Sequence, residues 1–376
     1  MPEILIVAGE TSGDLHAAGV ARELVAAGAP FELVGIGGDR MQAAGVQLLE
    51  HVRGLAALGL VEVIRHVPRH YALLRQLRRR LNGGGVGLLV LVDYPGFNLR
   101  LAAAAAAANV PVLYYITPQI WAWGAGRAER LARTVTKAAV ILPFEEVLLR
   151  SHGVDATFVG HPLLDAAASL PSRADARATL GLTANDRVLA LFPGSRPPEI
   201  ARHLDDFVAT AQELQRRIPA LRVVVSAAPA VRIDPRRCPF PLVRSASFFV
   251  LRAADAALCK SGTTTLEAAV AECPLVVAYR TNPLTYAAAR RALKIRHIGL
   301  VNFVAGREIA PEFLQRALKP MTVAAALQPL LDPGSPQRTR MLADLGEVRS
   351  ALGTPGASRR VAALAVELAT RRRRAA

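Results

Sequence analysis

The 376-residue sequence contains only three cysteines, Cys238, Cys259 and Cys273, and they lie far apart. No two of them form a CxxC pair, so their spacing excludes a zinc ribbon and a disulfide scaffold. The eight histidines include no pair with the spacing of metal ligands. We therefore expect reduced thiols, a cytoplasmic setting, and no tightly bound metal or other cofactor.

Long apolar segments are also missing. No window reaches the roughly 18 uninterrupted apolar residues of a transmembrane helix, and the alanine-rich run at 101–108 is followed by Asn109 and Pro111. No basic segment precedes the first apolar stretch, as it would in a secretory signal. We expect any contact with a membrane to be made from one side.

Aromatic residues and acidic residues are scarce. Aromatics make up 5% of the chain, which argues against a surface for stacking nucleic-acid bases. Lys and Arg total 46 against 30 Asp and Glu, a net charge of +16. This excess favours an acidic partner such as nucleic acid, anionic lipid or a phosphorylated substrate. Part of this excess lies in two arginine runs, at 78–80 and 371–374, and such runs are equally typical of a solvated helix face or a frayed tail.

Hydrophobic residues make up 52% of the chain, enough for a sizeable core. Short apolar segments alternate with helical patterns, which is typical of a parallel sheet covered on both faces. The predicted strands are 4–9, 31–38, 86–93, 110–116, 138–144, 187–195, 221–229, 255–262 and 273–280. The alternation restarts after a stretch rich in Pro, Ser and Gly, so the sequence predicts an α/β protein with two doubly wound, Rossmann-like halves facing a cleft.

This interpretation divides the chain into four parts. Residues 1–165 form the first domain, 166–186 a linker with one short helix, and 187–345 the second domain. Residues 346–376 form C-terminal helices with a basic tail.

Two loops of the first half follow predicted strands, at the edge where open α/β sheets bind ligands. In AGETSGD (8–14), two carboxylates argue against a pyrophosphate and favour a sugar hydroxyl, although Ser12 or Asp14 could instead cap the next helix. In VDYPGFN (92–98), Asp93 directly follows the strand. It is well placed as a general base, or as a residue that closes the turn.

Two loops of the second half have the character of phosphate sites. In FPGSR (192–196), glycine permits close approach and Arg196 can pair with a phosphate, unless it is simply exposed in a turn. CKSGTTTLE (259–267) offers hydroxyl and N–H groups but is not a Walker A loop. From the following helix Glu267 could reach a ribose diol, or the loop could merely cap that helix.

The segment 55–81 mixes apolar residues with arginines. This composition suits an anionic membrane surface or an acyl groove, and also an ordinary amphipathic helix packed on the sheet. The apolar positions are Leu58, Leu60, Val61, Val63 and Ile64.

Together these segments resemble the lipid-A-disaccharide synthase family over essentially the whole chain. The matching strings are AGETSGD (8–14), LGLVEVI (58–64), VDYPGFN (92–98), TPQIWAW (117–123), FVGHPLLD (158–165), FPGSR (192–196), CKSGTTTLEAA (259–269), AYRTNPLTY (278–286) and GLVNFVAGREIAPEFLQ (299–315). So many strings in order make the match far more specific than a single glycine motif.

The resemblance implies a GT-B architecture, in which a C-terminal helix crosses back to the N-terminal domain. It implies an inverting hexosyltransferase of lipid A biosynthesis in Gram-negative bacteria. The donor would be UDP-2,3-diacylglucosamine and the acceptor 2,3-diacylglucosamine 1-phosphate (lipid X), giving the disaccharide 1-phosphate and UDP. It also implies a cytoplasmic enzyme bound peripherally to the inner membrane, allows a homodimer, and leaves no role for nucleic acid.

The same resemblance implies roles for individual residues. Asp93 would be the general base on the acceptor 6-hydroxyl, and Arg196 would hold the UDP diphosphate. The other UDP contacts would be Ser261, Gly262, Thr263, Glu267 and Asn302. The sugar and acceptor contacts would be Glu10, Ser12, Gly13, Asp14 and His16. The segment 58–64 would contact lipid.

One position departs from the family pattern. Some relatives have aspartate where this chain has Gly96, so that position cannot supply a base here. The role falls to Asp93, with Glu10, Asp14 and His16 in reserve.

Two alternatives stay open. Another UDP-sugar enzyme of the same architecture, such as a MurG-like transferase or a UDP-N-acetylglucosamine 2-epimerase, would share the second-half loops but not the pair AGETSGD and VDYPGFN. A non-catalytic basic protein that binds RNA or anionic lipid would depend on charge alone, and the loss of the Asp93 carboxylate would leave it unaffected.

Overall fold

A computed structural model describes residues 2–54, 60–120, 125–168, 170–228, 231–244, 247–282, 286 and 297–375. The chain divides into two compact units. The first comprises Met1–Asp165 and Gly353–Ala376, and the second comprises Ala166–Leu352. The C-terminal segment therefore returns to the first unit.

The first unit is built on a seven-stranded parallel sheet. Its strands are β1 (Glu3–Ala8), β2 (Glu32–Gly37), β3 (Gln47–His51), β4 (Val86–Val92), β5 (Val112–Tyr115), β6 (Lys137–Val140) and β7 (Ala156–Phe158). Their order across the sheet is β3-β2-β1-β4-β5-β6-β7. Apart from Glu3, the central strands β1 and β4 are continuously apolar, as expected of strands that helices cover on both faces.

The helices of the first unit follow its strands in alternation. They are α1 (Thr11–Ala26), α2 (Asp39–Ala43), α3 (Leu60–Asn82), α4 (Pro95–Ala107), α5 (Ala125–Thr134), α6 (Pro143–Ser151) and α7 (Leu163–Ala167), with a 3₁₀ turn at Val52–Gly54.

The last helix of the chain, α15 (Ala357–Ala375), packs on α1. Val361 and Ala365 are fully buried in one cluster with Ala17 of α1. Small residues allow the close approach: a Cβ on Gly19 would lie 2.6 Å from Ser358 Oγ. This confirms the predicted return of the C-terminal helix.

The second unit has a six-stranded parallel sheet. Its strands are β8 (Arg187–Phe192), β9 (Leu221–Ala227), β10 (Leu242–Arg244), β11 (Ala256–Lys260), β12 (Leu275–Tyr279) and β13 (Glu312–Leu314). Their order is β10-β9-β8-β11-β12-β13. The predicted α/β class with two doubly wound sheets is thus confirmed.

The helices of the second unit again alternate with its strands. They are α8 (Arg173–Thr179), α9 (Pro197–Arg217), α10 (Ser247–Ala253), α11 (Thr264–Val270), α12 (Leu300–Ala305), α13 (Pro320–Leu327) and α14 (Pro336–Ala351), with 3₁₀ turns at Gln315–Ala317 and Gln328–Leu331. Within the described residues, no helix of either unit is long and apolar enough to span a bilayer.

The segment 166–186, predicted as a linker, lies inside the second unit. Its helix α8 is held there by Arg177, a side chain only 4% exposed. The guanidinium donates to Asp255 Oδ2 at 2.9 Å and to the Ala253 carbonyl oxygen at 3.0 Å. The segment therefore packs as part of the second unit.

Candidate active site

The carboxyl end of β1 leads into α1 through a short glycine-containing turn. Glu10 precedes the helix with extended backbone (φ −137°), and both Glu10 and Ser12 are exposed. Gly13 is buried, and a Cβ there would lie 3.6 Å from the Val92 carbonyl oxygen. Gly13 thus lets α1 approach the central strands, whereas Glu10 and Ser12 remain accessible at the ligand-binding edge of the sheet.

Asp14, predicted to face a substrate sugar, is instead 4% exposed and bound to backbone. Its Oδ1 accepts the Gly38 N–H at 2.6 Å and the Met41 N–H at 3.1 Å. Its Oδ2 accepts the Arg40 N–H at 3.2 Å. These N–H groups belong to the start of α2, so Asp14 caps that helix from a distance and holds the loop after β2.

We expect Asp14→Ala to lower the free energy of unfolding by about 2–3 kcal/mol, because it leaves the α2 N–H groups without a charged acceptor. Urea unfolding of the purified protein measures this. The control is Asp39→Ala, which removes a carboxylate in the same turn that is 65% exposed and pairs only with surface groups. Such pairs contribute at most about 1 kcal/mol. Equal losses in the two variants would contradict the capping role.

Asp93 lies at the carboxyl end of β4 with its backbone in the left-handed region, φ 49°. The conformation is held from two sides, since the Asp93 carbonyl oxygen accepts from Asn98 Nδ2 at 2.7 Å and from the Tyr114 hydroxyl at 2.8 Å. Burial raises the pKa of Tyr114, and the nearby Asp93 carboxylate raises it further. The turn is thus held firmly in a sparsely populated conformation, which fixes the backbone from which the Asp93 side chain leaves the end of β4.

Tyr94 continues this turn, at φ 51°, and brings the two loops of the first unit together. Its ring lies so close to Gly9 that a Cβ there would be 2.1 Å from Tyr94 Cδ1. Its hydroxyl forms a 2.6 Å hydrogen bond with His70 Nε2 of α3. Burial and the charge of Glu10 raise the pKa of Tyr94. Glu10 and Asp93 therefore lie at the same sheet edge, in the loops that follow the paired strands β1 and β4 and that Tyr94 brings together.

His16, which is half-buried, belongs to a polar cluster with Tyr115 and His161. Its ring stands edge-on to Tyr115 at 6.4 Å, and the Tyr115 hydroxyl has no hydrogen-bond partner among the described residues. Burial lowers the pKa of His16 to about 4, and the Arg40 charge contributes to this. His161 is 4% exposed, and burial with the neighbouring His16 lowers its pKa to about 3. Both rings are therefore neutral at pH 7.

In the second unit, the loop after β8 carries Arg196 at the start of α9. Gly194 has φ 139°, which allows the loop to turn against Glu199. Glu199 Oε2 accepts the Ser195 N–H at 2.9 Å. Arg196 is exposed, and it forms none of the ion pairs found among the described residues. Its guanidinium is thus available to an anion.

The loop after β11 contains the predicted residues Ser261, Gly262 and Thr263. Ser261 Oγ donates to the Ile298 carbonyl oxygen at 2.7 Å, which anchors the loop. Gly262 has φ 155°, and Thr263 is exposed. In the sheet order, β8 and β11 are neighbours, so the two phosphate-type loops leave adjacent strands.

Glu267 lies one turn into α11; the residue is half-buried, and its Oε2 atom is shielded from solvent. Burial raises the pKa of this carboxyl, although a hydrogen bond with Ser247 opposes the shift. Glu267 Oε2 has no hydrogen-bond partner within the described part of the chain. A buried acceptor without a partner is costly, and a ligand hydroxyl would satisfy it.

Asn302, predicted to face the nucleotide, is fully buried in α12. Its Oδ1 accepts the N–H groups of Ile309 and Ala310, both at 2.9 Å. Its Nδ2 donates to the Ala310 carbonyl oxygen at 2.7 Å and to Glu312 Oε1 at 2.8 Å. All four hydrogen bonds that an amide side chain can form are thus used within the protein. Asn302 orders the chain before β13.

Sequence reasoning missed a polar cluster beside the second-unit loops. Lys260 Nζ pairs with Glu199 Oε1 at 2.9 Å and lies 5.8 Å from the Tyr279 ring centroid. His203 stacks on the same ring at 5.6 Å, and its Nε2 accepts the Arg280 N–H at 2.9 Å. The available signal was the placement of Glu199 and His203 at i and i+4, immediately after FPGSR.

The segment predicted to contact lipid is described only in part. Leu58 lies outside the described residues. Leu60, Val61, Val63 and Ile64 fall at the start of α3, for which only the backbone is described there. The later part of α3 buries Leu73, Leu74, Leu77 and Leu81 in the core of the first unit. Across the described residues, His, Cys, Asp and Glu form no group suited to a metal ion.

Comparison with solved structures supports the fold. A UDP-GlcNAc 2-epimerase from Neisseria meningitidis, bound to UDP-GlcNAc, is 12% identical with a TM-score of 0.65, covering 97% of this chain and 100% of that one. The calicheamicin glycosyltransferase is 17% identical with a TM-score of 0.63, covering 99% of both chains. At such identities the likeness establishes only the two-unit architecture.

Comparison of sequences goes further. The lipid-A-disaccharide synthase of Trichlorobacter lovleyi is 40% identical over 372 residues, covering 97% of each chain. That of Anaeromyxobacter sp. strain K is 42% identical over 368 residues, covering 96% of each chain. The model of the lipid-A-disaccharide synthetase family matches residues 4–360. This protein therefore belongs to the lipid-A-disaccharide synthetase family.

Proposed function

We propose that this chain condenses UDP-2,3-diacylglucosamine with 2,3-diacylglucosamine 1-phosphate by a single displacement with inversion. The acceptor 6-hydroxyl oxygen bonds to the anomeric carbon, the bond from that carbon to the diphosphate breaks, and UDP leaves. Family membership supports the reaction class. The observation that carries the assignment of roles is the turn at the end of β4, where two hydrogen bonds anchor the Asp93 backbone carbonyl.

In this mechanism Asp93 removes the proton of the 6-hydroxyl as it attacks. A carboxylate is suited to this role when it lies within hydrogen-bond reach of the hydroxyl. Glu10 and Ser12, exposed at the same edge, would bind the sugars. Asp14 and Gly13 support the loop rather than touch substrate, and His16 lies behind it.

The second unit would bind the UDP portion. Arg196 is an exposed guanidinium next to a glycine turn, suited to bidentate contact with the diphosphate. Ser261, Gly262 and Thr263 line the neighbouring loop, and the unpartnered oxygen of Glu267 would accept a ribose hydroxyl. Asn302 would order this region without touching the nucleotide.

We further propose that the reaction takes place at the cytoplasmic surface of the inner membrane. Both substrates carry acyl chains, and the segment 58–64 combines apolar residues with nearby arginines. The first unit would take the acceptor and the lipid, and the second the nucleotide sugar. A homodimer stays a prediction that does not enter this mechanism.

The direct test is release of UDP by the purified protein in mixed micelles. The protein is given UDP-2,3-diacylglucosamine with and without lipid X, and the products are analysed by mass spectrometry. Release that requires lipid X and yields a disaccharide supports the proposal. Conversion of unacylated UDP-N-acetylglucosamine instead would favour a 2-epimerase or a MurG-like transferase.

We expect Arg196→Ala to weaken UDP binding about tenfold to a hundredfold, because a charge-assisted contact to the diphosphate is lost. Titration calorimetry with UDP measures this. Arg202→Ala is the matched control, since Arg202 is an exposed arginine of the same helix beyond the loop. Unchanged UDP affinity in Arg196→Ala would remove Arg196 from the diphosphate site.

A further inference from the structure

One carboxylate connects the two phosphate-type loops of the second unit. Glu199 Oε2 accepts the Ser195 N–H of the first loop at 2.9 Å, and Glu199 Oε1 pairs with Lys260 Nζ of the second at 2.9 Å. The Lys260 side chain is 19% exposed and that of Glu199 is 16% exposed. The pair is therefore shielded from most solvent while still open to a ligand.

Glu199 is charged in this arrangement. Burial raises the pKa of Glu199, but Lys260, the Ser195 N–H and Arg196 outweigh burial and leave the pKa below its usual value. The negatively charged carboxylate thus contacts an ammonium and a backbone N–H, and the Arg196 charge acts on it from nearby. This set of donors is the kind that proteins direct at phosphate oxygens.

Lys260 is also placed over the glycine turn of the second loop. A Cβ on Gly262 would lie 3.5 Å from Lys260 Nζ, so the ammonium stands directly beside that turn. The Tyr279 ring supports the lysine side chain from one side. The ammonium and the Ser195 N–H are both held by Glu199, which is the only group in this cluster of described residues that satisfies the two of them together.

We propose that Lys260 contacts the diphosphate of the nucleotide, and that Glu199 holds Lys260 and the Ser195 N–H in place until the diphosphate replaces its carboxylate. Lys260 is then a binding residue for the leaving group, and Glu199 a positioning residue that limits how tightly the product UDP is held. This inference rests on the proposed role of these loops in binding a nucleoside diphosphate. No covalent step is involved, since one anion replaces another at the same donors.

The exchange predicts opposite effects for the two partners. Lys260→Gln should weaken UDP binding about tenfold to thirtyfold, because one charge-assisted contact is lost. Glu199→Gln should tighten UDP binding about threefold to tenfold, since the diphosphate no longer competes with a carboxylate and no longer meets its repulsion. Uridine, which has no phosphate, should bind both variants as it binds the wild type.

The experiment is titration calorimetry of the full chain with UDP and with uridine, extended to the double variant. In the Lys260→Gln background, the tightening caused by Glu199→Gln should largely disappear, because its cause is the released lysine. Lys260→Arg, which keeps the charge, should retain UDP affinity within about threefold. Lys137→Gln is the matched control, since Lys137 forms a similar 2.9 Å pair with Asp155 in the first unit.

Two results would overturn the inference. Unchanged UDP affinity in Lys260→Gln removes the lysine from the diphosphate site, and weaker UDP binding in Glu199→Gln makes Glu199 a purely structural residue. Thermal unfolding of each variant identifies any that fail to fold, and if Lys260→Gln is one of them, the tighter UDP binding expected of Glu199→Gln carries the test. If Arg196→Ala still weakens UDP binding, the failure concerns this inference alone. A wild-type protein that binds no UDP would instead contradict the proposed function.

Discussion

Asp93→Asn is expected to lower turnover about 10²–10⁴-fold while leaving UDP affinity unchanged, because it removes the proposed base and nothing that binds the nucleotide. Asparagine is the substitution of choice since Asp93 has φ 49°. Asparagine tolerates the left-handed region about as well as aspartate does. The hydrogen bonds that Asn98 and Tyr114 donate to the residue 93 carbonyl oxygen are therefore kept. Disaccharide formation in mixed micelles and UDP calorimetry measure the two quantities.

Two further variants sharpen this test. Asp93→Gly also suits the left-handed backbone, so it should lose the same turnover without loss of stability. Gly96→Asp, added to Asp93→Asn, should restore part of the activity. Gly96 is exposed and a Cβ there meets no atom within 4 Å, so an aspartate side chain fits at this position. Full turnover in Asp93→Asn alone would exclude Asp93 as the base and direct attention to Glu10.

The interior of both sheets could be predicted from the sequence, whereas their edges could not. All nine strands predicted from apolar segments lie between two neighbours in the sheet order. The four that were missed are the edge strands β3, β7, β10 and β13. An edge strand is covered on one side only, and here each has several half-buried or exposed residues. It therefore lacks the continuous apolar pattern on which the prediction depends.

The sequence likewise predicted only part of the candidate site. Local sequence indicates which loops follow the strands, and it placed Asp93, Arg196 and Glu267 at the ends expected to bind ligands. It could not tell which polar groups the fold itself uses. Asp14 caps a helix that begins 25 residues later, and Asn302 satisfies the backbone before β13. Such contacts depend on tertiary structure, so a motif with several polar residues overstates the number that face a ligand.

The half-buried His16 and the buried His161 predict that acid will destabilise the first unit. His16 and His161 have pKa values of about 4 and 3, against 6.5 for a histidine in an unfolded chain. The groups that face them are Arg40, Asp165, Tyr115 and each other. Burial and Arg40 oppose a positive charge, and only Asp165 favours it. Below pH 6.5 these two histidines therefore bind protons in the unfolded chain but stay neutral in the folded chain.

The free energy of unfolding should consequently fall as the pH drops from 6.5 towards 4, by about 1.4 kcal/mol per pH unit for each histidine. By pH 4 the loss attributable to His16 reaches about 3 kcal/mol.

Because carboxylates titrate in the same range, the informative quantity is the difference between variant and wild type. His16→Gln and His161→Asn remove one proton-binding site each, and each should flatten the pH dependence of urea unfolding between pH 6.5 and 4. Asparagine at 161 can still accept the Leu163 N–H that His161 Nδ1 accepts at 3.2 Å. His152→Gln, at an exposed position, should leave the slope unchanged. If all three variants follow the wild-type curve, both rings bind protons in the folded protein as readily as in the unfolded chain, and burial does not lower their pKa values.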